Sequence, residues 1–278
     1  MTAKKHPVKR IFTIYLPIIL ILLFALGPYL WTFISSITQE KELYRPDFRF
    51  FPEHPTRENY VRLFSKLNFA ANMADSFIVA LTTAFVGLFL TVPASYSFSR
   101  YKFRGRKYLL MQFLVINMFP IMLLIIPLFI MMKVLNIMDT YFALIIAYST
   151  FTIPFSTWMM TSFFNAVPTD LDKAAQIDGC SRFGAMVRVI IPVVMPGIFS
   201  TGIYIFITSW NEYLYAAILT NSRVRTIPIA LQNMIGEYQI EWGLLTAGGV
   251  LSALPVIVLF FFIQKQLISG MTAGAVKG

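Results

Sequence analysis

Charge is scarce in this sequence. Only 13% of its 278 residues are Asp, Glu, Lys or Arg, against about 25% in a soluble domain. That scarcity, with 57% hydrophobic residues and 27 Phe, excludes a single water-facing globule and points to a lipid solvent. Cysteine is nearly absent. One residue, Cys180, rules out an internal disulfide and reads as a reduced, small packing residue, since no adjacent base would activate it. The two histidines, His6 and His54, lie in polar flanks. No His-Glu-x-x-His, Cys-x-x-Cys or Gly-x-Ser-x-Gly occurs, so no metal or catalytic constellation is expected. No Gly is followed by Lys anywhere, which excludes the Gly-x-x-x-x-Gly-Lys cradle for nucleotide phosphates. The sequence thus predicts no enzyme activity and no cofactor bound by this chain.

What is present is a set of six windows free of charge: Ile11–Gln39, Ser76–Ser99, Tyr108–Met132, Thr140–Thr169, Val189–Asn211 and Trp242–Gln264. Each is longer than the ~20 residues needed to cross the hydrocarbon of a bilayer. Backbone polar groups must be satisfied internally there, so helices are expected. Barrel strands would give ~10-residue alternating segments, which are missing. The fold class expected is an all-α membrane protein of six transmembrane helices. The first window follows Lys4, Lys5, Lys9 and Arg10, as a secretory signal would. Its apolar run exceeds the 7–15 residues of a signal core, so it is read as a retained helix.

The net charge of +10 has a topological reading. With the N-terminus inside, the inner segments hold 14 of the 23 basic residues and three acids, Asp170, Asp172 and Asp178. This excess is the positive-inside pattern, and an even number of helices returns the C-terminus to the same side. Nucleic-acid binding is disfavoured, because the basic residues sit at helix ends and not on one soluble face. The chain divides into 1–70 (N-terminus, first helix and an outer segment with a short helix near Thr56–Phe64), a core at 71–264, and an inner tail at 265–278. Prolines 17, 28, 93, 120, 127, 154 and 255 fall inside the windows, which suggests bent helices around a cavity. No convincing internal repeat is visible.

Residues 165–195 are unlike the other connections. They are too long for a tight turn and too polar to span. Pro168 stops the preceding helix, and Thr169-Asp170-Leu171-Asp172 has capping-box spacing. Lys173 to Ile177 reads as a short helix ended by Asp178-Gly179, with Gly supplying positive φ. Ser181 can cap a second helix to about Val189, stopped by Pro192 and Pro196. Ala174, Ala175 and Ile177 form a compact apolar surface flanked by Asp172, Lys173 and Asp178. Such a surface suits docking into a groove on another protein, or equally resting on the membrane or on its own bundle.

The run from Pro168 through Thr-Asp-Leu-Asp-Lys-Ala-Ala-Gln-Ile-Asp-Gly-Cys-Ser-Arg-Phe-Gly184, with Ile190-Ile-Pro-Val-Val-Met-Pro-Gly197, resembles the EAA loop of the permease subunits of ABC importers. Thr56-Arg-Glu-Asn-Tyr60, Ser209-Trp-Asn-Glu-Tyr213, Trp242-Gly243 and the tail Gly270–Gly278 resemble carbohydrate-uptake members similar to the second membrane subunit of maltose-type importers. The resemblance covers the chain from about residue 56 onward. It implies an ABC transporter type-1 transmembrane domain that pairs with a homologous second permease. It also implies a cytoplasmic ATPase dimer that binds ATP and magnesium, an extracytoplasmic solute-binding protein, and a sugar as solute. By position, Asp172, Lys173, Ala174, Ala175, Asp178 and Gly179 would couple to the ATPase. Gly274, Ala275, Val276, Lys277 and Gly278 would reach toward its dimer interface. One departure stands out: Lys173 occupies a position where the family usually has Glu. Asp172 would then take over the pairing, or the partner ATPase differs, or the companion permease carries the contact.

Glu212 is read as the one acid well inside an apolar helix. It lies about 22 Å along a helix from Gly197, in the outer half of the bilayer, where lipid exposure costs roughly 2.5–3.5 kcal/mol. A cavity or partner interface is expected. With Trp210, Asn211 and Tyr213 beside it, this stretch is a candidate solute path, since aromatic faces and polar groups suit sugars. A structural hydrogen bond fits Glu212 as well. Asn72 and Asn117 read as interhelical hydrogen-bonders. An ion-gradient transporter and a non-transporting membrane scaffold are the competing functions.

Overall fold

The computed structural model describes residues 11–275, apart from 48, 237 and 238. The thirteen α-helices described are α1 Leu16–Ser36, α2 Glu40–Leu43, α3 Glu58–Lys66, α4 Phe69–Arg100, α5 Arg106–Met118, α6 Ile125–Val134, α7 Tyr141–Ala166, α8 Asp170–Ile177, α9 Arg182–Ala185, α10 Ile191–Trp210, α11 Leu214–Leu219, α12 Ile227–Gln232 and α13 Trp242–Ala275. Five runs are long and apolar enough to span a bilayer: Phe12–Ser36, Phe69–Arg100, Tyr141–Ala166, Arg182–Trp210 and Trp242–Phe262. The sixth is a broken pair, Arg106–Met118 with Ile121–Val134, bent by 95°. The chain falls into two compact units, residues 1–69 with 231–254, and 70–230 with 255–278.

The first unit is organised by side chains that satisfy backbone ends. The buried Asn59 amide donates to the carbonyls of Ser36 and Thr38, both at 2.9 Å, closing the C-terminal end of α1 against α3. The Ser36 and Tyr60 hydroxyls meet at 2.7 Å. Glu40 accepts from the backbone N–H of Trp242 at 2.9 Å and of Gly243 at 2.7 Å. It thereby caps the start of α13, where a carboxylate also complements the helix dipole. Arg62 pairs with Glu241 at 2.5 Å. A Cβ at Gly243 would stand 2.7 Å from the Asn59 amide and 2.8 Å from Glu40, so any larger residue must displace the two side chains that hold this cluster. Two motifs far apart in sequence, around Asn59 and around Trp242-Gly243, are therefore one packed cluster.

The second unit has two apolar centres. One gathers Val79, Leu128, Met132, Leu144, Tyr148 and Tyr215. The other gathers Val92, Tyr96, Met160, Phe164, Met186 and Ile190. The helices between them approach closely. A Cβ on Gly197 would fall 2.4 Å from the Phe163 ring, so α10 and α7 touch through a glycine.

At the first centre, Asp139, in αL conformation, accepts from the backbone N–H groups of Asn221, Ser222, Arg223 and Val224 at 3.0–3.3 Å. Burial raises its pKa, but these four donors outweigh that and hold it at about 2. Asp75 receives the Tyr141 hydroxyl and the Arg225 N–H, and the Ser76 hydroxyl accepts from Ile227 N–H at 2.7 Å. The 221–227 segment is thus held by Asp139 in the turn before α7 and by side chains of α4.

Three expectations are corrected. The window Tyr108–Met132 is not one straight helix. Phe119 is extended, Pro120 cannot continue α5, and a 3₁₀ turn at Ile121–Leu124 redirects the chain into α6. Pro28, Pro93, Pro154 and Pro255, by contrast, remain inside helices. Second, Pro192 and Pro196 do not stop the helix that Ser181 begins. A π-turn at Met186–Ile190 carries α9 into α10, with Pro192 in the first turn, where its missing N–H costs little. Third, the last helix does not end near residue 264 but runs on to Ala275. Gly274 and Ala275 close it, and Val276, Lys277 and Gly278 lie outside the described residues.

Candidate functional site

Of the two short helices expected in the 165–195 segment, α8 forms as a separate element, whereas the one begun at Ser181 is the start of the run that continues into α10. α8 begins at Asp170, and Gly179 ends it at φ +91°. Ser181 caps α9, its hydroxyl accepting from Gly184 N–H at 3.1 Å. The capping box at Thr169 does not form: Thr169 has helical dihedrals and no side-chain cap. Its acidic partner is committed elsewhere.

Asp172 is 6% exposed. Its Oδ1 accepts from the Tyr96 hydroxyl at 2.6 Å, and Arg100 Nε lies 2.9 Å from Oδ2. The Arg100 N–H is not aimed along that line, so the contact is an ion pair and not an aligned hydrogen bond. Arg100 also donates to the Phe164 carbonyl at 3.1 Å. Asp172 therefore faces the bundle and is not offered to a partner. Ala175, one turn on, is 5% exposed and faces the same way.

The opposite face of α8 is open. Leu171, Ala174, Ile177 and Asp178 are exposed, Ile177 at 85%, and Phe183 of α9 is exposed at 72%. Lys173 projects from this face and pairs with Asp170 of its own helix at 2.8 Å. That hydrogen bond holds the Asp170 carboxyl below its usual range and the Lys173 amine above its own. Of the residues assigned to coupling, Lys173, Ala174, Asp178 and Gly179 are accessible and Asp172 and Ala175 are not. Sequence reasoning did not single out Phe183 and Val187, exposed apolar residues of the helix that follows α8.

The stretch Ser209–Tyr213 covers the last two residues of α10 and the three-residue connection to α11. Glu212 caps α11, accepting from Tyr215 N–H at 2.9 Å and Ala216 N–H at 3.2 Å. Trp210 is buried and stacks on Phe206, away from any open surface. Asn211 is exposed and donates to the Ile207 carbonyl. Tyr213 is partly exposed.

Glu212 also lines an open cavity of about 440 Å³ with Asn117, Phe119, Ile121, Phe151 and Thr208. The wall opposite Glu212 is the break in the bent span. There the Tyr215 hydroxyl donates to the Ile121 carbonyl at 3.1 Å, and Tyr215 stacks on Phe151 with rings 9° from parallel. Asn72 donates to the Arg225 carbonyl at 2.9 Å. Asn117 donates to Phe113 of its own helix, so it bridges no two helices. Among the described residues no three His, Cys, Asp or Glu converge as metal ligands.

The chain was compared with known proteins. Residues 84–273 match the family described as binding-protein-dependent transport system inner membrane component. The sulfoquinovosyl glycerol transport system permease protein SmoH of Agrobacterium fabrum is 35% identical over 93% of this chain and 91% of its own. The trehalose/maltose transport system permease protein MalG of Thermococcus litoralis is 34% identical over 99% of both. The trehalose transport system permease protein SugB of Mycobacterium tuberculosis is 34% identical over 92% of this chain and 93% of its own. Among solved structures, a bacterial ABC transporter involved in the import of the acidic polysaccharide alginate superposes with a TM-score of 0.77. It covers 95% of this chain and 99% of that one at 23% identity, which establishes a shared fold. A match of this extent, on a fold of apolar spans joined by an exposed two-helix segment, makes the chain a member of the family of binding-protein-dependent transport system inner membrane components.

Proposed function

We propose that this chain is the permease subunit of an ATP-driven importer, forming half of the transmembrane path for a saccharide. An extracytoplasmic protein would deliver the solute, and a homologous second permease would complete the path. A cytoplasmic ATPase dimer would hold ATP and magnesium, and this chain would carry out no covalent chemistry. Both termini lie on the ATPase side of the bilayer in this reading, consistent with the excess of basic residues in those segments.

One observation carries the proposal. α8 is fixed to the bundle on one face by Asp172 and presents exposed apolar side chains and Lys173 on the other. A helix tied down on one side and bare on the other is suited to receive force from a partner and pass it inward. The saccharide assignment is supported by relatives whose names specify trehalose, maltose and a sulfoquinovosyl glycerol.

The test is reconstitution of this chain with its companion permease, ATPase and binding protein in vesicles. Uptake of a radiolabelled saccharide that needs both ATP and the binding protein is expected, together with crosslinking of Ala174→Cys to the ATPase. Uptake by this chain alone on an ion gradient would replace the proposal with a secondary transporter. No uptake with any partner set would leave a membrane scaffold.

A further inference from the structure

We propose that the cavity at the break of the bent span is a saccharide subsite contributed by this chain, with Asn117 and Thr208 as its hydroxyl-binding groups and Glu212 in its wall; this rests on the permease reading above. The cavity is about 440 Å³, within the range of small-molecule sites. Its polar atoms converge from two separate elements, Asn117 from α5 and Thr208 with Glu212 from the end of α10.

Asn117 and Thr208 retain bonding capacity. A carboxylate offers about four acceptor positions; Glu212 receives the Tyr215 and Ala216 N–H groups and is also met by the Leu214 N–H and the Tyr148 hydroxyl, so it bounds the cavity as a charged wall. Asn117 uses one N–H on Phe113, leaving its second N–H and its carbonyl oxygen. Thr208 is engaged with the Tyr204 hydroxyl and keeps acceptor capacity. The set thus offers both donors and acceptors, matching an alcohol that donates and accepts at the same oxygen.

The remaining walls are apolar. Phe119 and Phe151 present ring surface, and Ile121 and Leu214 aliphatic surface. A pyranose has C–H faces and a rim of hydroxyls, and ring faces with a polar rim bind it by burying the first and bonding the second. No Lys or Arg lines the cavity. The site therefore suits a neutral sugar over a phosphorylated one, because Glu212 would repel a phosphate. The geometry has a physical origin in the break at Pro120. The cavity lies at the break, where the Tyr215 hydroxyl bonds the Ile121 carbonyl. Irregular backbone at membrane depth persists where it lines a cavity.

The test uses the complete importer in proteoliposomes with radiolabelled maltose, trehalose and maltotriose as probes. With saturating binding protein, Asn117→Ala and Thr208→Val are expected to slow uptake of the transported sugar about three- to tenfold. Stimulation of the ATPase by the binding protein should stay within about twofold of the unaltered complex. Thr208→Ser, which keeps the hydroxyl, should retain uptake. In a Cys180→Ser background, Asn117→Cys and Thr208→Cys should react with a small methanethiosulfonate reagent and be protected by that sugar. Unchanged uptake in both variants, or no protection of either cysteine, would overturn the subsite and leave the permease reading standing. Uptake and ATPase stimulation falling together would identify the residues as structural and likewise overturn it. Failure of the unaltered importer to take up any of the three sugars would overturn the saccharide reading and this subsite with it.

Discussion

Arg100, the last residue of α4, and Asp172, in the first turn of α8, form a buried ion pair with Nε 2.9 Å from Oδ2. The pair joins a membrane span to the helix that bears the exposed apolar surface. Tyr96, one turn before Arg100, donates to the other carboxylate oxygen. Losing one partner would leave a desolvated charge. Asp172→Asn or Arg100→Met is expected to cost about 3–5 kcal/mol, whereas replacing both with apolar residues of similar volume would recover much of it. Thermal unfolding of the purified complex, run as a double-mutant cycle, measures the coupling. Additive losses would show that the two residues do not interact.

The orientation of α8 predicts a labelling pattern. Cysteines placed at Ala174 and Ile177 should react rapidly with a polar maleimide in the isolated permease, and the ATPase should block both. A cysteine at Ala175, buried against the bundle, should react slowly in either state. Equal rates at Ala174 and Ala175 would contradict the helix orientation described above.

The Asp139 clasp predicts an acid sensitivity whose sign follows from its lowered pKa. A carboxylate that titrates at 3.8 when free and at about 2 when folded stabilises the clasp above the higher value. That contribution is lost as pH falls from about 4 to below 2. Hydrogen exchange at the amides of Asn221 to Val224 should show protection declining across this window. In Asp139→Asn the protection should be weak at every pH and the decline absent.

Gly243 sits where a methyl group would meet Asn59 at 2.7 Å and Glu40 at 2.8 Å. Gly243→Ala is expected to destabilise the chain by about 1–3 kcal/mol, as overpacking of a filled site does. Lowered melting temperature and lowered yield in the membrane would report it. An alanine variant as stable as the parent would mean that this cluster is looser than its distances indicate.

The six spans are legible in the sequence because charge exclusion and length are imposed by the bilayer itself. The ends of α8 and α9 are legible at Gly179 and Ser181, where one residue type answers one backbone requirement. What escapes a linear reading is decided by partners distant in sequence. Thr169 and Asp172 have capping-box spacing, yet Asp172 is drawn to Arg100, more than seventy positions earlier. Prolines 93, 154 and 255 sit in helices while Pro120 ends one. Nothing local to Pro120 reveals that Tyr215 will bond the carbonyl beside it. Glu212 is a helix cap and a cavity wall at once. The first role follows from the three-residue interval to Tyr215. The second depends on the folded-back span opposite.

From Arg182 to Trp210 the chain runs as helix without interruption. At 1.5 Å per residue these 29 residues measure roughly 43 Å. One end abuts the Ser181 turn after the exposed surface of α8, and the other leads directly into Glu212. The π-turn at Met186–Ile190 and Pro196 are the points at which this run can bend, so any displacement beside Phe183 would reach the carboxylate through helix and not through a loop.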